Sequence, residues 1–131
     1  PDELDPSFIA KQIGSQIKVI KEGSISPLIQ SCDLMIVIDF TSPILDAHIL
    51  KKPVISLTIK DNGWGIPTAL KNNSCLVTDP EKLENDLKDV LGNERIRNQL
   101  IKNGTKSSNE YLSNQNNGSS KLIGFLEELV N

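Results

Sequence analysis

Polar side chains follow the most apolar run of the chain. Thr41 and Ser42 come shortly after the run Leu34–Ile38 and directly before Pro43, and Asp46 lies about one helical turn further on. If a helix begins here, its first N–H groups and its dipole favour an anion, and the two hydroxyls add hydrogen-bond donors. The Asp46 carboxylate could accept hydrogen bonds from sugar hydroxyls. These residue types are those of a nucleotide site, although Ser42 and Asp46 are also good residues for starting any helix.

Short apolar runs alternate with amphipathic stretches along the chain. We predict strands at 17–20, 34–38, 53–59 and 75–77, and helices at 3–13, 27–32, 44–50, 68–71, 80–91, 94–102 and 121–130. Residues 103–120 are rich in Asn and Ser, and we expect any helix there to be weak except around Tyr111-Leu112. The alternation predicts one α/β domain over residues 1–131, with a Rossmann-like parallel sheet and helices on both faces. The run 34–38 is apolar on both faces, which is typical of a central strand.

Three predicted loops lie at the carboxyl ends of these strands, where parallel sheets bind ligands. They cover residues 22–27, 39–43 and 60–67. The outer two contribute further candidate residues, namely Gly23, Ser24 and Ile25 in the first loop and Lys60, Asp61, Gly63 and Trp64 in the last. Trp64 lies between two glycines, so its ring could either stack on a sugar or base or fold back over the core.

Composition narrows the class of protein. The 14 Lys+Arg and 17 Asp+Glu residues give a net charge of −3, which argues against a nucleic-acid partner. No apolar run approaches the roughly 20 residues of a membrane span. With one His and two cysteines without CxxC spacing, we expect neither a metal site nor a disulfide framework. We interpret Cys32 and Cys75 as small core residues, and His48 as a packed or solvated helix residue, with a general base as the alternative.

The stretch Ser31–Ala47, followed by Lys52-Pro53-Val54-Ile55, resembles the C-terminal half of GT-B-fold glycosyltransferases. Two relatives are especially similar in this stretch. One is the CDP-glycerol glycerophosphotransferases, with Asp-Tyr-Ser-Ser-x-x-x-Asp; the other is the non-hydrolysing UDP-N-acetylglucosamine 2-epimerases, with Asp-Ser-Gly-Gly-x-x-x-Glu. The corresponding positions here are Asp39, Thr41, Ser42 and Asp46. The similarity covers about residues 20–60 and continues loosely through Asp79–Leu91.

The resemblance implies half of a GT-B fold and assigns roles within it. Thr41 and Ser42 would hold the diphosphate of a UDP- or CDP-linked sugar or alditol, and Asp46 would hold the ribose hydroxyls. The first loop, Gly23-Ser24-Ile25, would lie against the base. The donor-sugar or lid loop would contain Lys60, Asp61, Gly63 and Trp64. The resemblance implies no resident cofactor or metal and identifies no catalytic residue.

We therefore expect the donor-binding domain of a glycosyltransferase or glycerophosphotransferase of cell-surface polysaccharide synthesis. It would be cytoplasmic, or peripheral to the membrane in the full-length protein. GT-B enzymes act in a cleft between two domains, so we expect a truncated N-terminus, an N-terminal acceptor domain as partner, and nucleotide binding without turnover by this chain alone. The alternatives are a 2-epimerase-like isomerase half-domain and a non-enzymatic regulatory α/β domain with Asp39 as phosphoacceptor. The shorter acid Asp46, as in the glycerophosphotransferases and unlike the glutamate of the epimerases, favours the transferases.

Overall fold

A computed structural model describes residues 6–14, 16–60, 72–112 and 117–130 of the chain. The helices in this part are α1 (Pro6–Ile13), α2 (Ser26–Ser31), α3 (Pro43–Ile49), α4 (Leu83–Gly92), α5 (Glu94–Tyr111) and α6 (Gly118–Val130), and the strands are β1 (Met35–Ile38), β2 (Val54–Leu57) and β3 (Leu76–Thr78). The predicted helix at 68–71 and the loop at 61–67 lie outside the described residues.

The three strands form one parallel sheet in the order β1-β2-β3. Its register pairs Met35 with Val54 and Ile55 with Leu76. Helix α3 connects β1 to β2, as a parallel crossover requires. The predicted α/β class and parallel sheet are confirmed, and the arrangement is Rossmann-like.

Apolar clusters lie on both faces of the sheet. The first contains Ile29, Val37, Ile44, Ala47, Val54 and Cys75, and the second contains Ile55, Val90 and Leu100. Val54 and Ile55 are neighbours in one strand and therefore point to opposite faces. The first cluster brings α2 and α3 onto one face, and the second brings α4 and α5 onto the other. The helices predicted on both faces of the sheet are confirmed, and so is the core position predicted for Cys75.

Strand β1 is an edge of the described sheet, which corrects its predicted central position. Residues 17–20, predicted as a strand, are not in a strand, so β1 pairs only with β2 within the described ranges. The second apolar cluster contains no residue of β1, and Ile36 and Ile38 are 44% and 54% exposed on that face. Strand β1 is therefore buried mainly on the face of Met35 and Val37.

Helix α5 continues to Tyr111, nine residues beyond its predicted end at Lys102. The polar stretch was expected to be mostly irregular because Asn, Ser and Gly are weak helix formers. Gly104, Ser107 and Ser108 are nevertheless buried. Small residues on one face allow α5 to pack closely against α3, and this tertiary contact outweighs the low intrinsic propensity.

Candidate functional site

The loop after β1 leaves the sheet through a left-handed residue, Asp39. Its N–H donates to the carbonyl of Leu57 at 3.0 Å, which is the last hydrogen bond between β1 and β2. Its φ of 54° lies in the region that Asp and Asn adopt more easily than most residues. The chain therefore turns sharply at this point, and the residues that follow lie at the carboxyl edge of the sheet.

Ser56 holds this turn in place from the neighbouring strand. Its side chain is 1% exposed, and its Oγ donates to the Asp39 carbonyl at 2.9 Å. A buried hydroxyl needs such a partner, and here the partner is the carbonyl of the left-handed residue at the turn. Ser56 is not among the site residues predicted from the sequence. The sequence feature that could have indicated it is a serine in the middle of an apolar strand, on the same face as Val54.

Thr41, Ser42 and Asp46 present free polar groups at this edge. All three are exposed, and none of their side chains has a hydrogen-bond partner within the described residues. Ser42 and Asp46 are four residues apart across the start of α3, which places them on the same side of the helix, about 5–6 Å apart between Cβ atoms. Two hydroxyls and one carboxylate are thus available to a ligand.

The start of α3 differs from the predicted cap in one respect. Ser42 does precede the helix, and Pro43 follows it, as expected. The Ser42 side chain makes no capping hydrogen bond, because its backbone is helical (φ −57°, ψ −33°) whereas a capping serine is extended. Its hydroxyl remains free for another partner.

The anion-binding N–H groups also differ from those predicted. Pro43 has no N–H, and the N–H groups of Ile44 and Leu45 already donate to the carbonyls of Thr41 and Ser42, at 3.2 and 3.0 Å. The first turn of α3 therefore offers little to an anion. In the loop before it, the N–H groups of residues 40–42 have no backbone acceptor within the described ranges. Consecutive N–H groups after a left-handed residue are a typical cradle for an anion.

The first candidate loop is only partly explained by the structure. Gly23 has φ 115°, a conformation that essentially requires glycine, and Ser24 and Ile25 are exposed. The loop leads into α2, which packs on α3. No described hydrogen bond joins it to Thr41, Ser42 or Asp46, so its approach to a bound base remains a prediction.

The last candidate loop lies largely beyond the described ranges. Lys60 is exposed just after β2, at the same edge of the sheet as the loop after β1. Asp61, Gly63 and Trp64 lie outside the described residues. The structure thus brings Lys60 to the predicted edge and leaves the other three as predictions.

His48 is buried away from this edge and serves packing. It is 2% exposed, and its Nε2–H donates to the carbonyl of Ser74 at 3.1 Å. A carbonyl can only accept, so the neutral ring carries its proton on Nε2. Its Nδ1 has no partner among the described residues. The interpretation of His48 as a packed helix residue is confirmed.

Cys75 lies beside this histidine. Burial raises the pKa of the Cys75 thiol to about 11, so this cysteine is not a nucleophile at neutral pH.

We predict that this histidine makes stability depend on pH. Burial lowers the pKa of His48 below its ordinary value of 6.5, because protonation would place a second N–H, on Nδ1, where no acceptor lies. Near that pH the unfolded chain therefore binds more protons, and the free energy of unfolding falls as pH drops below 6.5. The effect should be visible above about pH 5, where carboxylates are still ionised.

An NMR pH titration checks this prediction directly, because the chain contains a single histidine. We expect its ring protons to titrate below 6.5, together with decreasing resistance to urea over the same range. A midpoint at or above 6.5 would refute the prediction.

The described part of the chain has no group of three or more His, Cys, Asp or Glu side chains suited to a metal ion. Among the helices it describes, none has the length and apolar character needed to cross a membrane.

Surface grooves lie along α5. Thr41, Ser42 and Asp46 do not line these grooves.

The fold and the site define an α/β domain with an open parallel sheet and polar groups at its carboxyl edge. Comparisons of the chain with protein-family models, curated proteins and solved structures give no match.

Proposed function

We propose that the chain is the donor-nucleotide-binding domain of a GT-B-type glycosyltransferase or glycerophosphotransferase acting in cell-surface polysaccharide synthesis. The main support for this proposal is that the polar side chains after β1 have no hydrogen-bond partner within the described residues. Thr41, Ser42 and Asp46 are exposed at the sheet edge where parallel α/β folds bind ligands. They also occupy the positions that the resemblance to GT-B enzymes assigns to the donor nucleotide.

In this proposal the diphosphate lies against the loop between Asp39 and Pro43. The N–H groups of residues 40–42 and the hydroxyls of Thr41 and Ser42 donate to its oxygens. Ser56 contributes indirectly, because its hydrogen bond to the Asp39 carbonyl fixes the turn that aims these N–H groups. Donors held in place before binding need no rearrangement when charge develops on the leaving diphosphate.

Asp46 supplies the complementary contact. An ionised carboxylate has two oxygens that accept hydrogen bonds, and a ribose presents two adjacent hydroxyls. Its place one turn beyond Ser42 lets one ligand reach both residues. Lys60, at the end of the neighbouring strand, would add a positive charge near the phosphates, as a point charge without the bidentate geometry of an arginine.

Binding and orientation of the donor are the roles that these residues can perform. The proposal assigns no general base within the described site, because His48 is buried elsewhere and the Asp46 carboxylate is taken up by the ribose. In the proposal the acceptor and the base come from the partner domain across the interdomain cleft. The donor is a UDP- or CDP-linked sugar or alditol.

Thermal unfolding in the presence of nucleotides tests the proposal. UDP, CDP and GDP are added separately, with uridine, cytidine and guanosine as controls that lack the diphosphate. A ligand at about one hundred times its Kd stabilises the folded chain by about 2.7 kcal/mol. We expect at least one nucleoside diphosphate to raise the Tm clearly more than its nucleoside. Equal or absent shifts for all six compounds would contradict the proposal.

A further inference from the structure

A basic groove lies between the end of α3 and the exposed side of α5. Its volume is about 590 Å³, and it is lined by Lys51, Lys102, Thr105, Lys106, Asn109 and Glu110. Three lysines thus face one glutamate, in a chain whose net charge is −3. This local excess of positive charge runs against the overall composition.

Two of the three lysines have no carboxylate partner. The Nζ of Lys106 lies 3.9 Å from Oε1 of Glu110, so these two side chains form a long and exposed ion pair. Lys51 and Lys102 are exposed and form no ion pair within the described residues. Lys102 and Lys106 are four residues apart on α5, so their Cβ atoms are about 5–6 Å apart. The groove therefore places three positive charges on one part of the surface, where an anion would reduce their mutual repulsion.

The backbone of Lys51 gives a second, independent indication. Helix α3 ends in a Schellman motif: the Lys52 N–H donates to the Ala47 carbonyl at 2.8 Å, and the Lys51 N–H donates to the His48 carbonyl at 3.1 Å. The residue at the left-handed position of this motif is usually glycine. Here it is Lys51, with φ 55°.

A lysine at this position is costly to the fold. The other described non-glycine residues with positive φ are Asp39 and Asn73, whose short polar side chains tolerate this conformation. Lysine has no such advantage, and glycine would be less strained. Because a glycine here would relieve the backbone strain, the presence of Lys51 indicates that its side chain has a function.

We propose that this groove binds a soluble ligand that carries two or more phosphate groups. Three ammonium groups around an open groove match several phosphates better than a single charge. Lys51 follows α3 and precedes β2, so it lies at the amino edge of the sheet, whereas Thr41 and Ser42 lie at the carboxyl edge. The groove is thus separate from the candidate nucleotide site, and the proposal does not rest on the function proposed for that site.

The test uses tripolyphosphate as the probe, followed by amide NMR on the whole chain. We expect chemical-shift changes at residues 51 and 102–106, and weaker binding of inorganic phosphate at equal ionic strength. Shifts confined to residues 39–46, or no shifts at all, would overturn the proposal.

Three variants make the test specific. Lys51→Gly should weaken tripolyphosphate binding about fivefold while raising the Tm by about 2–4 °C, because it removes a charge and relieves the backbone. Lys102→Gln should weaken binding similarly. Lys88→Gln, on α4 and paired with Glu84, is the matched control and should leave binding unchanged. Unchanged binding by Lys51→Gly, a lower Tm for that variant, or an equal loss in Lys88→Gln would each refute the proposal.

Discussion

Replacing Gly104 with alanine is expected to destabilise the chain by about 1–3 kcal/mol. A Cβ at this position would lie 2.5 Å from Cδ2 of His48 and 3.0 Å from its Cγ and Nε2. The ring cannot move away cheaply, because it is buried and held by its hydrogen bond to Ser74. In a helix interior alanine is normally favoured over glycine by about 1 kcal/mol, so destabilisation here would identify a packing requirement.

Urea unfolding measures this effect, with Gly124→Ala as the control. Gly124 lies inside α6, and a Cβ there would meet nothing within 4 Å. The control should be neutral or more stable by up to about 1 kcal/mol. If Gly104→Ala were as stable as the unaltered chain, the close contact between α3 and α5 would be refuted. If the contact is real, His48→Ala combined with Gly104→Ala should cost less than the sum of the two single changes.

Replacing Asp46 with alanine is expected to weaken nucleoside diphosphate binding about tenfold or more. Hydrogen bonds to a charged group contribute about 1.5–3 kcal/mol, and the ribose hydroxyls would lose their acceptor. The side chain has no partner within the described part of the chain, so its removal breaks no described contact. Only a small loss of stability is expected, up to about 1 kcal/mol, because an acidic residue near a helix N-terminus interacts favourably with the dipole.

Titration calorimetry with UDP and CDP checks this prediction, with Glu84→Ala as the matched control. Glu84 is an exposed acidic residue in the first turn of α4, so its loss changes the net charge and the dipole interaction in the same way. The control should bind nucleotide like the unaltered chain. Equal affinity in Asp46→Ala would exclude the proposed ribose contact.

The sequence predicted the α/β class because strand and helix periodicities alternate clearly from residue 34 to 100. It also predicted the polar edge after β1, because Thr41, Ser42 and Asp46 follow an apolar run and precede a proline. The capping role of Ser42 was not predictable in detail, since it depends on a φ and ψ that the residue type only favours. Ser56 was missed because its partner, the Asp39 carbonyl, lies in the loop that follows another strand.

Long-range packing accounts for the larger errors. Helix α5 extends through Gly104, which packs closely against His48, 56 positions earlier in the chain. Local helix propensity carries no information about such a distant contact. The apolar run 17–20 satisfies the pattern of a strand, yet it is not a strand in the structure. The apolar side chains of α6, Leu122, Ile123, Phe125, Leu126 and Leu129, follow the predicted helical spacing but are at least half exposed. Periodicity predicted that helix correctly, without identifying a surface for it to pack on.

An amide NMR titration of the chain with UDP and CDP tests the proposed donor site most directly, because it locates the bound nucleotide. We expect shifts at residues 39–46, with further shifts at Gly23–Ile25 if the base lies against that loop, and loss of these shifts in Asp46→Ala. Shifts that appear only around Lys51, Lys102 and Lys106 would show that the phosphates bind the basic groove instead. That result would contradict a donor site at the carboxyl edge of the sheet.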